Sequence, residues 1–291
     1  MRVFTSVNLN YLDRALILQE TIKRFHPEWI FTLVLVDEVP ESREVHDVLA
    51  EFEQIILAKA LGIPHFEKWI RKFSVVEACT AIKGFALEFI LGYGDDVIYL
   101  DPDIAVFNDL SEIQELLKVY SVVLTPHILD PEFDYAAVID SEINALKYGV
   151  FNLGFIAVSC TQEGLRFAHW WAFRLYDFCI EDFHRGLFVD QKWINLAPVL
   201  FRDVLIWKHE GANLASWNIS QRSLQGDAGN LFVGNAPLLF LHFSKPLGEG
   251  PKMTMRYAYH NVALIHLWRW YIEKLNTNSK RITSPVFWAY D

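Results

Sequence analysis

The sequence predicts an α/β fold in which strands and helices alternate in a Rossmann-like βαβ series. Three observations carry that reading. Residues 32–36, Thr-Leu-Val-Leu-Val, form a continuous apolar run ending at Asp37; strands that are apolar on both faces belong to parallel sheets covered by helices. Strand-length apolar runs alternate with segments of helical periodicity through the N-terminal third. The chain has 291 residues, 52% of them hydrophobic, which is enough to bury one large core.

In order, residues 3–7 read as a first strand and 12–25 as a helix, with Leu12, Ala15, Leu16, Ile22 and Phe25 at helical spacing. Residues 41–60, 65–73 and 75–91 read as helices. Residues 96–100, Asp-Val-Ile-Tyr-Leu, form a short buried strand preceded by the turn residues Gly92, Gly94 and Asp95, and 104–107 resumes an apolar run. Residues 121–124 are a further strand, closed by Thr125-Pro126-His127. The second half is less regular. Residues 131–148 mix loop and helix in an acidic, aromatic-bearing stretch, 151–159 read as a strand, and 163–178 as a long helix. Residues 190–196 open another helix with Asp190 as N-cap. Short strands are expected around 204–207, 231–233 and 238–242, and an aromatic-rich helix over 257–275. No repeat or long linker divides the chain, so one compact domain is expected over 1–291.

A net charge of −10 excludes a nucleic-acid backbone as the main partner. An anionic ligand would need a local positive centre, from a metal or a few Lys and Arg side chains. Cys79, Cys160 and Cys179 are odd in number and lack ligand spacing, which suits core thiols in a reducing compartment. The N-terminus enters a strand without a signal-peptide pattern, and no apolar run is long enough to span a membrane. A cytoplasmic location is expected. The Walker phosphate loop and the HExxH and GxSxG signatures are absent.

Asp101-Pro102-Asp103 is the most informative segment. It follows the carboxyl end of the 96–100 strand, where open α/β sheets place their ligands. Pro102 has no N–H and a fixed φ, so it ends the ladder and stiffens the turn. Two hard oxygen ligands on a rigid turn can hold a divalent cation shared with substrate phosphates; the bland alternative is a surface turn after a strand. Asn8 and Tyr11 lie at the carboxyl end of the first strand, where Tyr11 can stack on a nucleobase and Asn8 can hydrogen-bond its edge, or Tyr11 simply opens the next helix. Asp37 is an acceptor for a base or ribose, or a solvated turn residue. Lys83 reads as a surface lysine with Glu77 and Glu88 nearby on the same helix. His242 ends a strongly apolar strand, the usual place of a core or turn residue.

The chain resembles the GT-A-fold glycosyltransferases, most closely the retaining family 8-like group and related bacterial enzymes. The resemblance rests on Val7-Asn8-Leu9-Asn10-Tyr11, Ala81-Ile82-Lys83, Tyr99-Leu100-Asp101-Pro102-Asp103, Phe151-Asn152-Leu153-Gly154-Phe155, Val189-Asp190-Gln191, Trp217-Asn218 and Leu241-His242-Phe243-Ser244-Lys245, in the family's order over nearly the whole chain. It implies a GT-A-type mixed sheet flanked by helices. It also implies transfer of a sugar from a nucleotide-diphosphate donor, a UDP-sugar first, to a hydroxyl acceptor with retention. Asp101, Asp103 and His242 would be the metal ligands. Carboxylates with imidazole favour Mn²⁺ over Mg²⁺. Lys83 would bind the donor diphosphate, where the family often has Arg, and Lys245 would add charge beside a Gly- and Pro-containing segment, 248–252, that reads as a lid. Asn152 would face the donor sugar or acceptor, and Asp190 and Gln191 the anomeric carbon. Trp217 and Asn218 would contribute to the same pocket.

On this reading residues 1–127 are the nucleotide- and metal-binding half, and 128–291 the acceptor-binding half with its C-terminal helix. The acceptor is a saccharide, a lipid-linked molecule or a protein, shaped by residues 131–148 and 181–186. A lipid-linked acceptor leaves a peripheral position at the membrane open, although the 257–275 helix has few cations for an interfacial anchor. Two rivals stand: a sugar-1-phosphate nucleotidyltransferase, which usually carries a Gly-rich N-terminal loop that residues 3–11 lack, and a non-catalytic nucleotide-sugar-binding protein.

Overall fold

The computed structural model describes residues 1–227 and 229–291. Strand β1 (Arg2–Val7) leads into helix α1 (Leu12–Phe25), whose buried residues Leu12, Ala15, Leu16 and Ile22 bear out the predicted stripe. Strand β2 (Ile30–Leu35), helix α2 (Arg43–Leu49) and strand β3 (Gln54–Leu57) follow. After the short helix α3 (Phe66–Ile70), α4 (Val75–Leu91) opens on a capping box: the Ser74 hydroxyl accepts from the Glu77 N–H, and the Glu77 carboxylate accepts from the Ser74 N–H at 2.9 Å. Strands β4 (Val97–Leu100) and β5 (Ile104–Val106), helix α5 (Ser111–Leu117) and strand β6 (Val122–Pro126) complete the first half.

The second half opens with α6 (Tyr135–Ala137), which runs through a π turn (Val138–Ile143) into α7 (Asn144–Tyr148). Strand β7 (Phe151–Val158) and helix α8 (Gln162–Phe178) follow, then the small hairpin β8 (Glu181–Asp182) and β9 (Leu187–Phe188), and helix α9 (Ala197–Leu200). Short strands β10 (Val204–Ile206), β11 (Leu214–Ala215), β12 (Leu224–Asp227), β13 (Asn230–Val233), β14 (Ala236–Pro237) and β15 (Phe240–His242) precede helices α10 (Glu249–Ala258) and α11 (Val262–Ser279).

The central sheet runs β10-β6-β7-β4-β1-β2-β3. β1, β2, β3 and β4 are mutually parallel, β7 is antiparallel to both of its neighbours, and β10 is parallel to β6. The parallel strands β1, β2 and β4 are those the alternation predicts, and with the antiparallel β7 they make the mixed sheet that the resemblance implied. β7 and β10 from the second half complete it, so one core spans both halves. Large buried side chains fill the layers on either side, among them Trp69 and Trp171 on one and Trp29 and Phe31 on the other. A smaller sheet, β11-β15-β5, sits beside it, with β5 and β15 antiparallel.

Four expectations need correction. The helix expected over 41–60 stops at Leu49, because Ile55, Ile56 and Leu57 pair in parallel with Leu33, Val34 and Leu35. Non-local ladder pairing there overrides a helix-compatible apolar spacing. The helix expected over 257–275 is two helices, with the Asn261 side chain accepting from the Leu264 N–H at 3.0 Å as the cap of α11. Residues 248–252, expected to be a lid loop, contain the first turn of α10, and Gly250 there packs on the Ser244 carbonyl, where a Cβ would clash at 2.0 Å. Asp190 does not cap a helix: a 3₁₀ turn begins only at Lys192, and the Asp190 side chain turns inward.

Candidate active site

Chain topology builds the site. β4 delivers Asp101 at its carboxyl end, where the Asp101 N–H still donates to the Gly154 carbonyl at 2.8 Å. The turn Asp101-Pro102-Asp103 then releases the chain from the main sheet into β5. β15 pairs with β5 so that His242 stands opposite Ile104. That register carries the imidazole Nε2 to 2.9 Å from Asp103 Oδ1 and 3.8 Å from Asp101 Oδ2. One ligand atom from each of Asp101, Asp103 and His242 falls within a 4.8 Å span. Two carboxylates and an imidazole at that separation are a set of ligand types that can hold a divalent cation. The close approach depends on Gly154 of β7, where a Cβ would lie 2.5 Å from His242 Cε1. The second imidazole nitrogen, Nδ1, is buried without a hydrogen-bond partner. Burial disfavours the charged imidazole, but Asp103 and Asp101 outweigh it and hold the His242 pKa above its ordinary value.

Lys83 is no surface lysine. It is 4% exposed, and its ammonium lies 3.0 Å from Asp101 Oδ1, 3.0 Å from Asp190 Oδ2 and 3.2 Å from the Leu153 carbonyl it donates to. The Tyr99 ring lies 4.4 Å beneath it, and the Tyr99 hydroxyl donates to Asp101 Oδ1 at 2.5 Å. The contact to Asp190 is an ion pair off hydrogen-bonding angle, so Asp190 Oδ2 keeps unused acceptor capacity. Burial works against the Lys83 charge, but Asp101 and Asp190 hold the ammonium protonated with its pKa well above the usual value. Lys83 is placed by tight helix packing: a Cβ on the adjacent Gly84 would sit 2.7 Å from the Ala172 nitrogen, so α4 and α8 meet backbone to backbone.

Asn152 and Gln191 meet on the other flank of the cluster. Gln191 Oε1 accepts from the Leu153 N–H at 3.1 Å, and Gln191 Nε2 donates to the Tyr148 carbonyl at 3.1 Å. Asn152 Oδ1 accepts from the Gly154 N–H at 3.1 Å and from Asn213 Nδ2 at 3.0 Å, while Asn152 Nδ2 lies 3.2 Å from His127 Nε2. Asn218 ties Asn213 and His127 together through their carbonyls at 3.0 and 3.1 Å. Trp217 stands edge-on to both His242 and His127. Burial pushes the His127 imidazole down to about 4. Sequence reasoning missed Tyr99, His127 and Asn213 as parts of this network; Asn213 takes a left-handed φ of 54°, which Asn tolerates.

Two cavities share Asp101 and Asp103. The smaller, about 240 Å³, is lined by Asn8, Tyr11, Val76, Cys79, Thr80 and Lys83 among others. The larger, about 680 Å³, is lined by His127, Asn152, Gln191, Trp217, His242 and Lys245, and by residues of the two segments expected to shape an acceptor site, Tyr148 and Glu181 among them. Lys245 is exposed, has a left-handed φ of 48°, and has no salt-bridge partner among the described residues. Asp37 lines neither cavity: its oxygens accept from the backbone N–H groups of Leu9 at 3.0 Å and Ala289 at 3.2 Å. Arg222 lines neither cavity either; it is buried and donates to the Glu210 and Ala212 carbonyls. No helix among the described residues is long and apolar enough to cross a membrane.

No family model matches the chain. It is 28% identical over 215 residues, 72% of its length, to the uncharacterized protein YfnD of Bacillus subtilis (strain 168), and 29% identical over 175 residues, 58% of its length, to the uncharacterized protein YfnF of the same organism. The matched regions span only 64% and 56% of those relatives. Among solved structures, the galactosyltransferase LgtC in complex with donor and acceptor sugar analogs is similar with a TM-score of 0.52 and 15% identity over 98% of each chain. The bifunctional glycosyltransferase WbbM gives 0.53 and 15%, covering 98% of this chain and 52% of that one. GlyE of Streptococcus pneumoniae TIGR4 gives 0.51 and 16%, covering 98% and 66%. The fold is the GT-A glycosyltransferase fold, as the resemblance implied.

Proposed function

We propose that the chain is a metal-dependent glycosyltransferase that moves a sugar from a nucleotide-diphosphate donor, a UDP-sugar first, to a hydroxyl acceptor with retention. The observation that carries the reading is the Asp101, Asp103 and His242 cluster, set at the carboxyl end of β4 between two cavities on this fold. A Mn²⁺ ion, or Mg²⁺ in its place, held by these three side chains would supply charge neutralisation for the donor diphosphate. The nucleoside would occupy the smaller cavity, against Tyr11 and Asn8. The donor sugar and acceptor would occupy the larger one.

The chain's own residues then have defined work. Lys83 orients Asp101 through a 3.0 Å hydrogen bond to Oδ1 and lines the smaller cavity, where its charge would meet the donor phosphates. Asp190 and Gln191 would lie beside the anomeric carbon, where the unused acceptor capacity of Asp190 Oδ2 can stabilise positive charge building on the sugar. Burial raises the Asp190 carboxyl above its ordinary value, with the Lys83 ammonium pulling against that rise. Asn152, fixed by Gly154, Asn213 and His127, would orient a sugar hydroxyl. Lys245, exposed on the rim of the larger cavity, would meet the distal phosphate. The anomeric C–O bond to phosphate breaks, the acceptor oxygen bonds to the same face, and the acceptor proton passes to the departing phosphate oxygen. No protein base is needed for that exchange.

The test is release of free nucleoside diphosphate from UDP-sugars with Mn²⁺ present, followed by proton NMR of the first-formed product. A product that keeps the donor's anomeric configuration supports the reading; an inverted product contradicts retention and points to a carboxylate base. Turnover of a nucleoside triphosphate with a sugar-1-phosphate, releasing pyrophosphate, contradicts transfer altogether.

A further inference from the structure

Tyr11 and Arg14 stand three residues apart where α1 begins, the spacing at which helical side chains meet. The Arg14 guanidinium carbon lies 4.2 Å from the Tyr11 ring centroid. At that distance a cation over an aromatic face is attracted by the ring's quadrupole. Arg14 is itself held: Nη1 donates to Asp13 Oδ1 at 2.9 Å, and the same oxygen accepts from the Arg14 backbone N–H at 2.8 Å. Both side chains are 13% exposed, and Arg14 Nε is buried without a hydrogen-bond partner. Tyr11, by contrast, is 42% exposed and lines the smaller cavity, which Arg14 does not. The cation covers one face of a ring that borders the cavity, which Val76 and Thr80 of α4 also line.

We infer that Arg14 is a positioning residue for nucleobase binding: it holds the Tyr11 ring by one face and leaves the other fixed as a stacking platform. The inference rests on the function proposed above. A freely rotating Tyr side chain would lose rotamer freedom when a base stacked on it, and Arg14 removes that loss in advance. The Arg14 charge also reaches the metal cluster. The Asp103 carboxyl is held below its usual value, against burial, by His242 and to a smaller degree by Arg14.

Titration calorimetry with UDP, GDP and dTDP in Mn²⁺ tests it. The unaltered protein, Arg14→Met, Arg14→Gln, Arg14→Lys, Tyr11→Ala and the double variant Tyr11→Ala/Arg14→Met are compared. Removing the cation should weaken the best nucleotide about 2–5-fold, the range of an exposed cation–π contact. Arg14→Lys should recover part of the loss. The effect should vanish in the Tyr11→Ala background, and in turnover it should fall on donor KM more than on kcat. Thermal melting of each variant separates folding from binding, and Arg14→Gln against Arg14→Lys decides the matter if Arg14→Met does not fold. Unchanged affinity in the uncharged variants overturns the inference, as does an undiminished loss in the Tyr11→Ala background. Failure of the unaltered protein to bind any of the three nucleotides overturns the proposed function, and this inference with it.

Discussion

His242 stands 2.9 Å from Asp103 because β15 pairs with β5 in a register that sets His242 opposite Ile104, the residue after Asp103. The small sheet thus does what proximity in sequence cannot. It brings a strand from the far end of the chain alongside the turn that follows β4. Removing the imidazole should damage metal binding more than folding. His242→Ala should lose about 10–100-fold in Mn²⁺ affinity, measured by calorimetry, with little change in urea midpoint. A variant that unfolds earlier but binds Mn²⁺ as before would make His242 a core residue.

Gly154 should be nearly as sensitive. A Cβ there would press on His242 Cε1 at 2.5 Å and on Asn152 Oδ1 at 2.8 Å. Gly154→Ala should therefore cost both Mn²⁺ affinity and turnover, although it adds one methyl and removes no functional group. Normal Mn²⁺ affinity in Gly154→Ala would show that the imidazole is not held in place by this contact.

Lys83 neutralises Asp190, which is 2% exposed. Lys83→Met leaves that carboxylate without its cation, and breaking a buried pair from one side costs about 3–5 kcal/mol. Adding Asp190→Asn should restore part of the stability without restoring turnover, read by urea denaturation. A Lys83→Met protein as stable as the parent would contradict the buried pair.

His127 gives a pH dependence with a defined sign. Its imidazole is pushed down to about 4 in the fold, against roughly 6.5 in an unfolded chain. Between those values the unfolded state binds the extra proton, so stability should fall as pH drops from about 6.5 to 4. His127→Asn should remove that part of the slope in urea midpoints. Equal slopes in the two proteins would contradict a buried neutral imidazole.

Much of this was legible in the sequence, and the exceptions share a cause. The central sheet announced itself because a run such as residues 32–36 is apolar on both faces, and α4 was read over the bounds it has, residues 75–91. The turn Asp101-Pro102-Asp103 was readable from its position after a strand. What escaped depends on pairing between distant segments. β3 was hidden because Ile55 and Ile56 fit a helix until β2 pairs with them. The inward turn of Asp190 follows from Lys83 on α4, and local sequence offered only an N-cap. His127 and Asn213 have no signature, since both reach Asn152 of β7 only through the fold, whereas the Tyr99 hydroxyl meets Asp101 two residues along the chain.

Nucleotide binding with and without metal tests the central claim most directly. Thermal melting is followed with UDP, GDP, dTDP and CMP, each with Mn²⁺ and with chelator. At a ligand concentration about 100 times its dissociation constant, linkage contributes about 2.7 kcal/mol, which for a chain of this length raises the melting temperature by about 5–10 °C. A shift of that size with one nucleotide, UDP first, that collapses with chelator or in Asp103→Asn is the predicted result. No shift with any of the four at saturating Mn²⁺ would contradict a metal-dependent nucleotide-sugar site.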